Sequence, residues 1–394
     1  MSSDGSTSAS FVLNASTLDD GEAVTSLTIS LSGPGTIAAE SLTAGTFSVH
    51  ATGTSPIPVA ADEEVYREYD LDREVTAARL DADGNIVLDL SYGVDELGSG
   101  SLGFVGHKGL TRLDLVYTIT QNSPLTGPDG EPVTVARFAQ GPLVNPEVDA
   151  FSHHESADGV KYRLFTPAYR AGPRPLVVWL HGGGEGALLA DDYYDNETQL
   201  RGTRGALSFS TPQAQQIFGG AYVLAPQCTS NWLDDGPLFA SQVHDIVKDL
   251  VGRLLIDSRR IYLAGCSSGG YLTLEMVSRY PDLFAAAVPS SCIVQENPRH
   301  RGPGSSPRLV PDDALAKIAT PTWLVVSADD DTVDPQANSV HAHQLIPGSR
   351  ISVYDDVTWD EFSFPGHWSW VYLTYNDPAV DGTHVWQWMA GQRR

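Results

Sequence analysis

From about Phe11 to Gln121 apolar and polar residues alternate in short runs. Thr25-Ser-Leu-Thr-Ile-Ser-Leu stops before Gly33-Pro34-Gly35. Thr46-Phe-Ser-Val-His follows, Asn85-Ile-Val-Leu-Asp-Leu-Ser-Tyr starts after Asp83-Gly84, and Leu113-Asp-Leu-Val-Tyr-Thr-Ile-Thr closes the series. A period of two puts alternate side chains on one face of a pleated strand, and the intervening Gly, Asp and Pro supply turns. The pattern predicts an antiparallel β-sandwich over residues 11–122. Residues 1–10, rich in Ser and Gly without an apolar core, read as a disordered leader. Asp81-Ala-Asp-Gly-Asn has the start of a calcium loop, but no glutamate follows at loop spacing, so a hairpin turn is the reading preferred.

Between Asn122 and Pro146 the pattern breaks. Pro124, Gly127, Pro128, Gly130, Pro132, Gly141, Pro142 and Pro146 crowd this stretch, and residues 123–148 read as a Pro/Gly-rich linker. Beyond it, over 149–394, strands alternate with helices as in a mostly parallel sheet. Pro175-Leu-Val-Val-Trp-Leu, Ala221-Tyr-Val-Leu-Ala, Arg260-Ile-Tyr-Leu-Ala-Gly, Ala285-Ala-Ala-Val-Pro and Pro321-Thr-Trp-Leu-Val-Val-Ser are the expected buried strands. Val243, Ile246, Val247, Leu250, Val251 and Leu254 recur at helical spacing, which predicts a helix with one face on that sheet.

Composition narrows the functional classes. A hydrophobic fraction of 41% and a charged fraction of 19% are those of a folded protein. The longest apolar run, near Leu176 to Leu180, is strand-sized, so no membrane span is expected. A formal charge of −25 repels phosphate backbones and anionic lipid, which argues against nucleic acid as a partner and is compatible with a neutral ester, amide or polyester. Cys228, Cys266 and Cys292 are too few for a disulfide scaffold and too scattered for a zinc site. No secretory signal is legible. The short polar leader leads us to expect a secreted or extracellular protein whose signal lies outside this sequence, with a cytoplasmic one as the alternative.

Gly265-Cys266-Ser267-Ser268-Gly269 fits G-x-S-x-G, and it follows an expected strand and precedes the helical run Tyr271-Leu-Thr-Leu-Glu-Met-Val. That setting marks a nucleophile elbow, a tight turn that projects Ser267 above the strand ends. A serine hydroxyl needs a base, and the base an orienting acid, in the chain order Ser, Asp or Glu, His. Ser327-Ala-Asp-Asp-Asp-Thr-Val-Asp-Pro closes the strand from Thr322 and offers four carboxylates. The usual Gly-x-x-Asp-x-x-Val spacing favours Asp330, with Asp331 second; Asp329 and Asp334 are then a turn residue and a helix cap. His367, in a Pro/Gly loop after the expected last strand Ile351-Ser-Val-Tyr-Asp, is the expected base. His341 and His343 lie in the helical stretch after Pro335 and do not read as a metal pair.

An oxyanion needs backbone donors. His181-Gly182-Gly183-Gly184-Glu185-Gly186 closes the first buried strand, and with the Ser268 amide it offers the Gly183 amide as second donor. There is no G-x-G-x-x-G and no Walker lysine, so phosphate binding is not expected. Gln227, Trp232, Trp368 and Glu185 are the candidates for the substrate wall, Gln227 and Trp232 because Ala225-Pro-Gln-Cys-Thr-Ser-Asn-Trp leaves a strand on the same rim. Trp370 reads as core.

At these residues the second half resembles the prolyl-oligopeptidase-related esterases, close to the polyhydroxybutyrate-depolymerase-like and feruloyl-esterase-like carboxylesterases. The matching pieces are His181-Gly-Gly-Gly-Glu-Gly, Leu224-Ala-Pro-Gln, Gly265-Cys-Ser-Ser-Gly-Gly, the Asp330 turn and Gly366-His-Trp-Ser-Trp, with Ser327 departing from the usual glycine. The resemblance implies an α/β-hydrolase fold preceded by an immunoglobulin-like sandwich, the latter named for architecture only, since it lacks the antibody cysteine pair. It implies a carboxylesterase working through an acyl-enzyme, with Ser267, Asp330 and His367 as triad and neither metal nor organic cofactor. It also implies a front domain that assists assembly or shapes access, hence a homo-oligomer through the N-terminal domain. A serine peptidase of the oligopeptidase type is the rival, although no blade-length repeats are present. A binding protein with a vestigial hydrolase domain is the third reading.

Overall fold

The computed structural model describes residues 7–32, 37–59, 64–94, 96–106, 109–168, 172–187, 194–295 and 308–394. The chain divides into two compact units, Met1–Asp149 with Arg201–Thr203, and Ala150–Leu200 with Arg204–Arg394.

The first unit is all-β. Its longer strands are β1 (Thr7–Leu18), β2 (Gly21–Ser32), β3 (Phe47–Thr54), β4 (Tyr69–Arg73), β5 (Val75–Leu80), β6 (Ile86–Leu90), β7 (Asp114–Gln121) and β8 (Val135–Val144). They form a five-stranded sheet in the order β8-β1-β2-β6-β5 and a three-stranded sheet β7-β3-β4. Alternation sets which side is buried: Phe11 and Leu13 of β1 pair across to Ile29 and Leu27 of β2. That face shares one core with Phe47, Val49, Ala51, Tyr117 and Ile119 of the smaller sheet, so the inner positions of both sheets are filled by apolar side chains removed from water.

Two expectations need correction. Residues 7–10 are not leader but the start of β1, because the alternation Ala9, Phe11, Leu13 begins inside the Ser-rich stretch; the remainder of the expected leader, and the Gly33-Pro34-Gly35 turn, lie outside the described residues. The stretch 123–148 is not a bare linker. Leu125–Thr126 pairs with Pro132–Val133, and β8 adds a parallel edge to β1. Gly141 and Pro142 fit there because the β1–β8 register slips between Phe11 and Leu13, and an edge strand at a bulge does not need the missing proline N–H. The Asp81 stretch is the β5–β6 hairpin. Its carboxylate accepts from the amides of Asp83 and Asn85 and from Asn85 Nδ2, which lowers the Asp81 pKa, and Gly84 supplies φ of 82°.

The second unit carries an eight-stranded sheet. Its strands are β9 (Phe151–Glu155), β10 (Lys161–Phe165), β11 (Arg174–Leu180), β12 (Tyr222–Pro226), β13 (Ile256–Cys266), β14 (Ala286–Ser290), β15 (Trp323–Ser327) and β16 (Arg350–Tyr354). The order is β9-β10-β12-β11-β13-β14-β15-β16, parallel from β12 to β16, with β9 and β10 antiparallel at one edge. Leu176 to Leu180 are fully buried, as a central strand covered on both faces must be. Helix α1 (Gly236–Arg253) starts where Asp235 accepts from the Leu238 amide, with Pro237 in the first turn. It buries Phe239, Ala240, Val243, Ile246, Val247 and Leu250 along one stripe, and Val251 and Leu254 pack partly buried against the same core. Helix α2 (Ser268–Arg279) leaves the end of β13 and is buried along its first ten residues. Among the described residues no helix is long and apolar enough to cross a membrane.

Candidate active site

The serine turn is shaped by lack of room. A Cβ on Gly265 would stand 2.6 Å from the Gly269 carbonyl oxygen, and one on Gly269 would stand 2.1 Å from that of Leu180. Real Cβ contacts are never so short, so only glycine lets β13, α2 and the end of β11 come this close. Between them Ser267 is held at φ 54°, ψ −117°, a conformation L residues rarely adopt. Its amide donates to the Ser290 carbonyl of β14, 2.9 Å away, and its own carbonyl accepts from Tyr271. The flanking residues are buried and Ser267 is partly exposed, so the turn lifts one hydroxyl out of the core.

His367 stands opposite, on a short 3₁₀ turn Gly366–Trp368 after Pro365. Its Nδ1 lies 2.9 Å from Asp330 Oδ2 and its Nε2 lies 2.9 Å from Ser267 Oγ. An ionised carboxylate only accepts, so Nδ1 carries the proton, and neutral Nε2 accepts from the serine hydroxyl. The Asp330 side chain is fully buried, and Oδ1 accepts from the amides of Val333 (2.8 Å) and Thr332 (3.0 Å), which fixes its second oxygen on the imidazole. Asp331 is exposed and turned to Thr332. Asp334 accepts from Gln336 and Ala337 as a cap, and Asp329 takes the Ser327 hydroxyl. The serine in place of the usual glycine thus braces the neighbouring turn residue.

The glycine loop has a rigid underside. His181 is fully buried, donates from Nδ1 to the Gly182 carbonyl and accepts at Nε2 from the Cys228 amide; burial pushes its pKa down to about 4, so it stays neutral. Glu185 accepts from the Gly182 amide through a 2.7 Å bond. Gly183 remains partly exposed, and the Ser268 amide sits in the first turn of α2, where the helix has no internal acceptor for it. A Cβ on Gly182 would lie 3.9 Å from Ser267 Cβ, so this loop borders the serine.

Three of the four expected substrate-wall residues are scaffold instead. Gln227 is buried, donates to Glu185 O, Thr198 Oγ1 and Asp195 Oδ1, and accepts from the Asn196 amide, leaving nothing for a ligand. Trp232 is buried, with its indole N–H on the His181 carbonyl. Glu185 is buried and committed to the loop. Trp368 alone is half-buried, stacked between Phe364 and Trp370, while Trp370 itself is buried edge-on to His367. The cysteines are free and buried, with Cys228 pushed up to about 12 and Cys292 to about 11 by burial, so none is poised to react. Among the described residues no group of acidic, His or Cys side chains could hold a metal ion.

A mostly parallel sheet with a strained serine turn at the end of a central strand defines an α/β-hydrolase. Residues 234–297 match the model of the prolyl oligopeptidase family. A solved thermostable esterase superposes on 98% of this chain and 99% of its own, at 24% identity and a TM-score of 0.74, a likeness of fold. Poly(3-hydroxyalkanoate) depolymerase C of Paucimonas lemoignei is 32% identical over 128 residues. That stretch is 29% of this chain and spans only 27% of the relative.

Proposed function

We propose that the chain is a carboxylesterase that works through an acyl-enzyme on Ser267. His367 Nε2 takes the Ser267 proton as Oγ attacks the ester carbonyl, and the amides of Gly183 and Ser268 hold the oxyanion. Asp330 keeps the imidazole in the attacking tautomer and stabilises its charged form. The proton on Nε2 passes to the leaving alkoxide, releasing the alcohol; a water, deprotonated by the same nitrogen, then displaces the acid and restores Oγ–H. What carries this reading is the unbroken hydrogen-bond chain from the serine through His367 to a fully buried carboxylate. Trp368, half-buried beside the base, forms an apolar wall suited to an aromatic or hydrophobic acyl group, and the partial likeness to a polyhydroxyalkanoate depolymerase makes polyesters the natural extension.

The prolyl oligopeptidase match over 234–297 keeps one rival, a serine peptidase on small peptides. A panel of p-nitrophenyl esters varied in acyl length and aromaticity, a polyester film, and prolyl and aminoacyl amides decides between them by kcat/KM. Esters are expected to dominate; a preference for amides overturns the assignment.

A further inference from the structure

The loop after β12 brings a polar group to the serine's rim that the scheme above leaves unused. Ser230 and Asn231 lie against the glycine loop: a Cβ on Gly186 would meet the Ser230 carbonyl oxygen at 2.0 Å, and the Ala187 amide donates to Cys228 O. Asn231 is fixed from several sides. Its amide donates to Asp234 Oδ2, its carbonyl accepts from the Asp234 amide, and its Oδ1 accepts from the Leu233 amide at 3.0 Å. That last bond settles which end of the side chain is oxygen. Nδ2 is therefore turned the other way, toward Gly183, where a Cβ would stand only 2.8 Å from it. Nδ2 has no acceptor among the described residues, although Asn231 is half-buried. The Ser268 hydroxyl, buried and equally without a partner, is 3.7 Å from the same point. Two unspent polar groups thus flank Gly183, next to the serine, while His181, Glu185 and Gln227 beneath the loop are each hydrogen-bonded. Asn231 Nδ2 stays open to solvent while its other end is held, so a ligand oxygen arriving beside Gly183 can accept from it.

We propose that Asn231 is a third donor to the substrate: its Nδ2–H bonds the carbonyl oxygen as that oxygen becomes an oxyanion beside Gly183. The assignment rests on Ser267 being the nucleophile. The donor transfers no proton; it stabilises charge that develops when Oγ adds to the carbonyl carbon, and it is oriented beforehand by Leu233, so no reorganisation accompanies the step.

The test compares Asn231→Ala and Asn231→Asp with the parent on p-nitrophenyl butyrate and on a butylboronic acid inhibitor, whose adduct on a serine mimics the tetrahedral species. Asn231→Asp keeps an acceptor for the Leu233 amide and removes the donor. Both variants should lose about 10²-fold in kcat with KM within about threefold, and boronate affinity should fall by a comparable factor, with the unfolding midpoint unchanged in Asn231→Asp and only slightly lowered in Asn231→Ala, which loses the bond from the Leu233 amide. Recovery of activity in Asn231→Asp, or parent-like kcat and boronate affinity in both variants, overturns the assignment. Ser267→Ala is assayed alongside. Its loss of turnover while both Asn231 variants stay fully active removes only the third donor, whereas turnover surviving in Ser267→Ala removes the nucleophile itself.

Discussion

The two units of this chain answer to different constraints. In the first, alternation does nearly everything: inward positions such as Leu13, Leu27, Val49 and Ile119 fill a core, and turns such as Asp81–Asn85 close on their own side chains. In the second, the site depends on places where no side chain fits, with Gly265 and Gly269 jammed between β11, β13 and α2 around one strained serine. A sandwich tolerates an uneven edge, as β8 shows by absorbing Gly141 and Pro142 at a register slip. The serine turn has no such slack. What positions the candidate site is close packing that excludes side chains and aims a few groups, rather than the pattern that buries the many.

The largest expected effect falls on those aimed groups. Asp330→Asn should lower kcat on short esters about 10⁴-fold by upsetting the imidazole tautomer, while exposed Asp331→Asn should stay close to the parent. A steady-state assay checks the pair, and equal losses in both would break the claim that burial beside His367 selects the acid. A smaller effect separates the two kinds of glycine. Gly269→Ala, forced onto the Leu180 carbonyl, should cost more than about 3 kcal/mol or fail to fold, by urea unfolding. Gly84→Ala, at φ 82° with open space around it, should cost only about 1 kcal/mol. Equal costs would erase the contrast between the units.

Much of the site was legible because its residues sit at strand ends in a fixed order. Ser267 after β13, Asp330 after β15 and His367 beyond β16 could be picked from turn chemistry and spacing alone, and the structure brings all three within hydrogen-bond reach. Gln227 and Trp232 share the same rim in sequence yet point inward, since which way a loop residue turns is decided by packing partners far along the chain, here Thr198 and His181. Asn231, the proposed third donor, lies between them, and in the sequence it is only an asparagine next to a tryptophan in a loop otherwise spent on scaffold. Residues 123–148 misled for a compositional reason, because an edge strand accepts the proline and glycine that a central strand would exclude.

The proposed reaction stands or falls on Ser267 as its nucleophile. Treating the protein with a fluorophosphonate probe and mapping the adduct by peptide mass spectrometry tests it most directly, with Ser267→Ala as comparison. Stoichiometric labelling is expected at Ser267, with ester turnover lost in proportion, and neither labelling nor turnover in Ser267→Ala. An adduct on another residue, or ester hydrolysis persisting in Ser267→Ala, would contradict it.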